Sequence, residues 1–280
     1  MGKERVRTRD LADRYLLDRV LGRGGMSVVW SAYDREQLRN VAVKILSEEY
    51  AKSVDRRRRM RLEATVQMNI KHPHVLPVYE AGEADDTAYI VMPIAEGGSC
   101  EHHLEEHGAL EPRVAARVMT ETLDGLGAVH AAGVVHRDIK PSNLLLSLKG
   151  SVLLSDFGIL AFDAENTSFA GTDAYVAPEA RIKGDAADLR ADQYGAAATL
   201  YHLVTGIRPK QTLRSTEALL ETTVMSPELW SVIRRGLATN PAERYPDIRT
   251  MRLALLQTLE FLPPLNPSAP ALGSCGVGAR

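Results

Sequence analysis

Asp138, Asn143 and Asp156 carry the oxygen-bearing side chains of two short runs, His136-Arg137-Asp138-Ile139-Lys140-Pro141-Ser142-Asn143 and Asp156-Phe157-Gly158. Carboxylates and a carboxamide oxygen are hard ligands suited to Mg2+, and a carboxylate can also take a proton from a hydroxyl. Taken singly, each aspartate reads as an ordinary turn cap. Upstream, Gly22, Gly24 and Gly25 lie between two strand-like runs, where missing side chains let backbone N–H groups come close to a polyphosphate. Alone, such glycines are more often a hairpin turn. Val41-Ala42-Val43-Lys44 follows as a strand, and alternation puts the Lys44 ammonium on the same face as the small apolar Ala42. An isolated strand lysine is usually a solvated edge, so the combination carries the meaning.

The elements that hold these residues can be read from pattern. Tyr15 to Val20, Met26 to Asp34 and Asn40 to Leu46 are β-type runs broken by glycine, which predicts an antiparallel meander. Val54, Met60, Leu62, Val66 and Ile70 suggest the apolar stripe of one helix, with Ser53 and Asp55 offering an N-cap and Pro73 ending it. His74 to Glu83 and Thr87 to Ile94 read as two further strands, and the run Glu96-Gly97-Gly98-Ser99 as a break. Beyond it the spacing turns helical: Val114, Val118, Leu123, Leu126 and Val129 mark one long helix, and Gln193 to Val204 an apolar one. The expected organisation is an extension over 1–14, a β-rich lobe over 15–94 and a mainly helical lobe over 95–262. Residues 263–280, rich in Pro, Gly, Ser and Ala, are expected to bury little and stay disordered. No internal repeat is present.

Composition narrows the partners. The chain has 280 residues, 45% hydrophobic, and its 34 basic and 36 acidic residues nearly cancel to a net charge of −2. Such a balance produces no overall field that would gather nucleic acid or an anionic membrane. The N-terminus lacks the apolar core of a signal peptide, and no run reaches the roughly 18 apolar residues of a membrane span. Val6 stands where a myristoylation signal beginning at Gly2 needs Ser or Thr. Cys100 and Cys275 are far apart, which suggests no disulfide framework and points to a reducing cytoplasm. Cys100 with His102, His103 and His107 reads as the surface of a helix, since no second ligand cluster accompanies it.

The order and spacing of Asp138, Asn143 and Asp156 resemble the protein kinase family. That resemblance runs from about Tyr15 to Leu262. It is closest to the eukaryotic-like Ser/Thr kinases of bacteria, through the run Leu21-Gly22-Arg23-Gly24-Gly25-Met26-Ser27 and the run Asn240 to Asp247. It implies an α+β, two-lobed kinase fold: a small antiparallel β-sheet N-lobe with one regulatory helix, and a larger mainly helical C-lobe. It also implies ATP with Mg2+, or Mn2+ in its place, held at the metal by Asn143 and Asp156. Asp138 would take the acceptor hydroxyl's proton, Lys140 would reach the γ-phosphate, and Lys44, paired with Glu63, would hold the α- and β-phosphates. The nucleotide would lie against Leu21, Gly22, Arg23, Gly24, Gly25, Met26, Ser27, Val29, Ala42, Met92, Ile94 and Leu145, its adenine edge on the backbone of Met92 to Ala95. Lys140 and Thr172 imply Ser/Thr acceptors, and Ala177-Pro178-Glu179 a protein substrate rather than a small molecule. Asp192 would brace the catalytic loop and Arg244 would pair with Glu179.

Some positions depart from the family pattern. Ser27 replaces the third loop glycine. Gln67 falls where an apolar residue is usual, so its amide must find a partner or stay wet and weaken the helix of Glu63. The stretch from Gly206 to Pro227 is short, which suggests unusual substrate docking. Arg137 implies a phosphate on the activation loop, with Thr167 and Ser168 as candidates. Ala161, Asp163 and Glu165 make that phosphate pocket thin, so loop phosphorylation is expected to assist without being the sole switch. The basic run Arg56 to Arg59 is read first as a solvated face, and second as a contact for an anion or a dimer. The expectation is an active Ser/Thr protein kinase, autophosphorylating in trans through a homodimer, with no nucleic-acid or membrane partner. The alternative is a pseudokinase or scaffold, supported only by Gln67 and the thin pocket. A complete soluble kinase and a domain cut from a longer protein both stay open.

Overall fold

Two tight reversals with φ near +50°, at Ala12-Asp13 and at Asp85-Asp86, have the paired left-handed residues that two-residue hairpins demand. They organise the sheet described by the computed structural model, which covers residues 9–157, 173–181, 188–209, 225–267 and 270–273. The described chain falls into two compact units, one running to Lys71 and including Leu76–Ile94, the other formed by His72–Val75 and everything from Ala95.

In the first unit, strands β1 (Arg9–Leu11), β2 (Tyr15–Arg23), β3 (Ser27–Asp34), β4 (Arg39–Leu46), β5 (Glu80–Ala84) and β6 (Thr87–Met92) form one antiparallel sheet in the order β1-β2-β3-β4-β6-β5. Its core packs Leu11, Tyr15, Leu17, Ala32, Val41, Val43, Tyr89 and Val91 together. Within the expected N-terminal extension, residues 9–11 form an edge strand, and Leu11 anchors it. Arg14 ties the sheet's loops: its guanidinium donates two bonds of 2.8 Å to Asp34 and one of 2.9 Å to Glu80. That fork holds the Asp34 carboxyl at about 2, well below the usual range.

Helix α1 (Glu48–Ala51) leads into α2 (Val54–Met68), capped by Ser53 accepting from the Arg56 amide. The buried face of α2 differs from the expected stripe. Val54 and Leu62 are 67% and 54% exposed, and the buried positions are Met60, Glu63, Ala64 and Gln67. Spacing of three, four and seven is helical, but polar members hid it, and each finds a partner. Within the basic run, Arg57 Nε lies 2.6 Å from Glu83 and Arg56 stacks over the Tyr50 ring, so part of that charge is compensated inside the unit.

The second unit holds α3 (Cys100–His107), α4 (Pro112–Ala131), the hairpin β7 (Leu144–Leu146) and β8 (Val152–Leu154), α5 (Arg190–Thr205), α6 (Pro227–Gly236) and α7 (Ile248–Thr258). Proline at the first turns of α4 and α6 sits where its missing N–H costs nothing. The expected strand from His74 forms only from Glu80. Val75 instead bridges Leu154, and the His74 carbonyl accepts from the Leu154 amide at 3.0 Å. Gly125 of α4 makes room for this crossing, since a Cβ there would stand 2.5 Å from the His74 carbonyl oxygen. His103 also departs from the expected surface reading, being buried with Cys100, whose thiol burial pushes up to about 12.

The described part of the C-terminal stretch is mostly exposed, in keeping with the expectation of little burial, and is tied to the second unit at a few points. Arg113 donates to the carbonyls of Leu259 at 2.8 Å and Pro263 at 2.7 Å, Asn266 N donates to Glu111, and Leu272 is buried.

Gly125→Ala should lower stability. Alanine is the better helix former by about 1 kcal/mol, but the clash with a backbone oxygen costs about 1–3 kcal/mol of overpacking. Thermal unfolding should show a lower midpoint, and an unchanged or higher one would refute the crowding at His74.

Candidate active site

Hairpin register brings the oxygen-bearing side chains of Asn143 and Asp156 together in the second unit. Leu144 pairs with Leu154 and Leu146 with Val152, so Asn143, just before β7, and Asp156, just after β8, lie at the same open end. The Ser155 amide and hydroxyl both bond the Asn143 carbonyl, at 3.0 and 3.1 Å. Asn143 closes the short 3-10 turn Pro141–Asn143, and its amide nitrogen donates to the Asp138 carbonyl at 2.8 Å and to Asp138 Oδ2 at 2.9 Å. Lys140 Nζ approaches the same Oδ2 at 2.8 Å. The expected trio of Asp138, Lys140 and Asn143 is therefore one cluster.

That cluster hangs on α5. Asp192, 1% exposed, accepts from the His136 amide at 2.8 Å and from the Arg137 amide at 2.7 Å, and His130 Nε2 lies 2.8 Å from its Oδ2. Arg137 needs such a clamp, because its φ of 69° is a left-handed conformation that costs a non-glycine residue about 1–3 kcal/mol. Asp156 shares the left-handed conformation, with φ at 57°. His136 is fully buried. Its Nδ1 accepts from the Asp138 amide at 3.3 Å, so Nε2 carries the proton toward the Ser155 carbonyl at 3.1 Å. Burial pushes its pKa down, as this neutral tautomer requires. Desolvation likewise lowers the pKa of Arg137.

The donor set fits a hard divalent cation. With the Asn143 nitrogen turned to Asp138, the amide oxygen and the Asp156 carboxylate are what the hairpin end offers. One or two protein oxygens are what Mg2+ takes when phosphate and water complete its shell. Among the described residues no group of three or more His, Cys, Asp or Glu forms a self-sufficient metal site.

In the first unit, β4 presents Lys44, paired in register with Val29 of β3 and Ile90 of β6, while Ala42 faces Met92. Lys44 Nζ stands 3.5 Å from Glu63 Oε1, and both residues are buried. Gln67, one turn further along α2, donates to the Leu76 carbonyl at 2.7 Å, so its amide has the partner that sequence alone left in question. Leu21, Gly22 and Arg23 end β2, and the Gly24 amide closes on the Ser27 carbonyl at 2.8 Å to form a tight hairpin with Gly25 and Met26. A Cβ on Gly22 or Gly25 would meet nothing within 4 Å, so that hairpin has an open side. Met92 ends β6, Ile94 closes the first unit, and Leu145 lies in β7 of the second.

Arg244, with its side chain fully enclosed, forks onto Glu179 at 2.6 and 2.9 Å and also donates to the Ala238 and Arg190 carbonyls. Thr167, Ser168 and Thr172, with Ala161, Asp163 and Glu165, lie outside the described residues. Sequence reasoning missed His130, although its place seven residues after Leu123 on an apolar helix stripe was a signal. It also missed Gln193, which exchanges two bonds with the Tyr245 backbone at 3.0 and 3.1 Å.

A family model described as protein kinase domain matches residues 15–253. Serine/threonine-protein kinase PknB of Mycobacterium leprae is 33% identical over 279 residues, covering 92% of this chain and 45% of that protein. PknD of Mycobacterium tuberculosis is 35% identical over 259 residues, covering 86% of this chain and 39% of the relative. The chain thus spans less than half the length of these curated relatives. Among solved structures, the PknI kinase domain of Mycobacterium tuberculosis superposes with a TM-score of 0.72 at 30% identity, over 92% of this chain and 99% of the other.

Replacing Asp192 by Asn keeps one acceptor oxygen and turns an NH2 group toward a backbone N–H. Leaving a buried donor unpaired costs about 1–3 kcal/mol, and denaturant unfolding should register that loss. His103, His136 and His202 give a second expectation, since burial lowers all three pKa values. Above about pH 6.5 neither folded nor unfolded chain protonates them. Below it the unfolded chain binds protons first, so stability falls as pH drops. Denaturation midpoints at pH 7.5 and 5.5 check the sign, and a higher midpoint at the lower pH would contradict it.

Proposed function

This chain belongs to the protein kinase family, among the eukaryotic-like Ser/Thr kinases of bacteria, and we propose that it transfers the γ-phosphoryl group of ATP to Ser and Thr hydroxyls of proteins. The observation that carries the proposal is the Asp138–Lys140–Asn143 cluster, in which one carboxylate is oriented by an amide at 2.9 Å and an ammonium at 2.8 Å.

Bound with Mg2+, ATP supplies the phosphoryl group, and the metal neutralises part of its charge. The protein's part is positioning and electrostatics. Asp138, with Oδ2 held by Asn143 and Lys140, keeps Oδ1 to accept the hydrogen bond and then the proton of the acceptor hydroxyl. Lys140 adds positive charge where negative charge spreads over the moving group. Asn143 and Asp156 are assigned to the metal. In the first unit Lys44, steadied by Glu63, is assigned to the α- and β-phosphates, the loop from Leu21 to Ser27 to the phosphate backbone, and Val29 and Ala42 to the adenine. Leu145, and the backbone near Met92 and Ile94, are assigned to the adenine by resemblance alone. Thr172 is assigned to the acceptor pocket, and Thr167 and Ser168 to loop phosphorylation. A reducing, ATP-containing cytoplasm and transfer between two copies of the chain belong to the same reading. Among the described residues no helix is long and apolar enough to cross a membrane.

Purified chain, radiolabelled ATP and Mg2+ test the proposal, with and without dephosphorylated casein. Phosphate transfer is expected, with Asp138→Asn reducing turnover by about 10²–10⁴-fold, the range for removing a general base. No transfer under any condition would overturn the kinase reading, and equal transfer by the variant would overturn the role of Asp138. A Thr167→Ala, Ser168→Ala double variant should keep part of the activity. Complete loss would make loop phosphorylation the sole switch.

A further inference from the structure

Asp192, Gly195, Thr199 and His202 are three, four and three residues apart on α5 and so share one stripe. Each meets a different part of the catalytic stretch or of the segment leading to Ala177-Pro178-Glu179. Asp192 holds the His136 and Arg137 amides. Gly195 admits close neighbours, since a Cβ there would stand 3.2 Å from the Ile139 Cβ and 3.4 Å from the Tyr175 carbonyl oxygen. Thr199 Oγ1 donates to the Ile139 carbonyl at 3.1 Å, between Asp138 and Lys140. His202 Nδ1 meets the Tyr175 hydroxyl at 2.7 Å.

The last of these bonds is short and enclosed. Tyr175 is 7% and His202 5% exposed, and their rings lie 6.1 Å apart. Burial lowers the His202 pKa and raises that of Tyr175, which favours a neutral imidazole accepting from a phenol that keeps its proton. The charged groups acting on His202 are Glu101 of α3 and Arg208, which pair with each other. Tyr175 ends the 3-10 turn Asp173–Tyr175, three positions after Thr172.

We propose that His202 is a positioning residue for the protein acceptor: by holding the Tyr175 hydroxyl it fixes the segment beside the acceptor pocket to the same helix that fixes Asp138. The inference rests on the kinase reading and deepens it, and it concerns affinity for the protein substrate, not for ATP. Tyr175→Phe removes only the hydroxyl, His202→Ala removes the acceptor, and His202→Asn returns a polar atom near the place of Nδ1.

Steady-state transfer with casein and ATP varied separately is one arm of the test, and hydrogen exchange over residues 173–181 is the other. Tyr175→Phe and His202→Ala should raise the KM for casein about fivefold to twentyfold, the scale of a buried polar group left unpaired. The KM for ATP should stay within about twofold, and exchange over 173–181 should quicken. His202→Asn should restore both readouts. An unchanged casein KM in the first two variants, parallel loss of ATP affinity, or no rescue by Asn would overturn the proposal. If the unmodified chain transfers no phosphate, the kinase reading fails, and with it any role for His202 in acceptor affinity; the exchange arm then decides only whether the bond orders the segment.

Discussion

A carboxylate bonded to two consecutive backbone amides is the constraint on which the rest of the second unit depends. Asp192 receives the amides of His136 and Arg137 at 2.8 and 2.7 Å. Those bonds fix where the chain turns immediately before Asp138, and they hold Arg137 in a conformation its side chain disfavours. From that point the geometry propagates by short steps. The His136 ring spans from the Asp138 amide to the Ser155 carbonyl, Ser155 bonds Asn143, and Asn143 bonds Asp138. The ring of contacts closes on itself, so Asp138 and Asn143 inherit their positions from a buried, low-dielectric anchor rather than from solvent-exposed loops.

The first unit solves a smaller version of the same problem. Lys44 and Glu63 are opposite charges taken out of water, which is costly unless both are matched. Glu63 is buried by the face of α2 that also carries Met60, Ala64 and Gln67, and the Gln67 amide is satisfied by the Leu76 carbonyl. A glutamine in that place tethers the helix to the chain that follows it. The feature that spoke for a scaffold without catalysis is a bonded structural element.

Strands β2, β3, β4 and β6 and helices α4 and α5 were legible because period and punctuation agreed there. Hydrophobic pattern failed where polar groups were buried, although the resemblance to kinases anticipated the Lys44–Glu63 and Arg244–Glu179 pairs. Val54 and Leu62 looked like core but are exposed, because hydrophobic character alone does not register a carboxylate matched by a lysine. Cys100 and His103 were read as helix surface once a metal cluster was set aside, and both are buried. Residues 9–11, read only as part of an N-terminal extension, pair with β2 as an edge strand, which three residues with one buried leucine do not announce. The grouping of Asp138, Asn143 and Asp156 at one hairpin end was legible from order and spacing, which give the three meaning only as a set. His130 and His202 were not, because each acts through a partner distant in sequence.

The excursion of His72–Val75 into the second unit has a consequence for how the chain can be made. Lys71 and Leu76 on either side belong to the first unit, yet the partners of the segment between them are Gly125 of α4 and Leu154 of β8. On the ribosome, helix α2 and strand β5 emerge joined by residues whose neighbours have not yet been synthesised. The N-terminal sheet can assemble around its own core, but the link between α2 and β5 must wait for the hairpin that precedes Asp156. Translation order and structural completion are therefore out of step, and the same hairpin finishes both the connection and the chemistry.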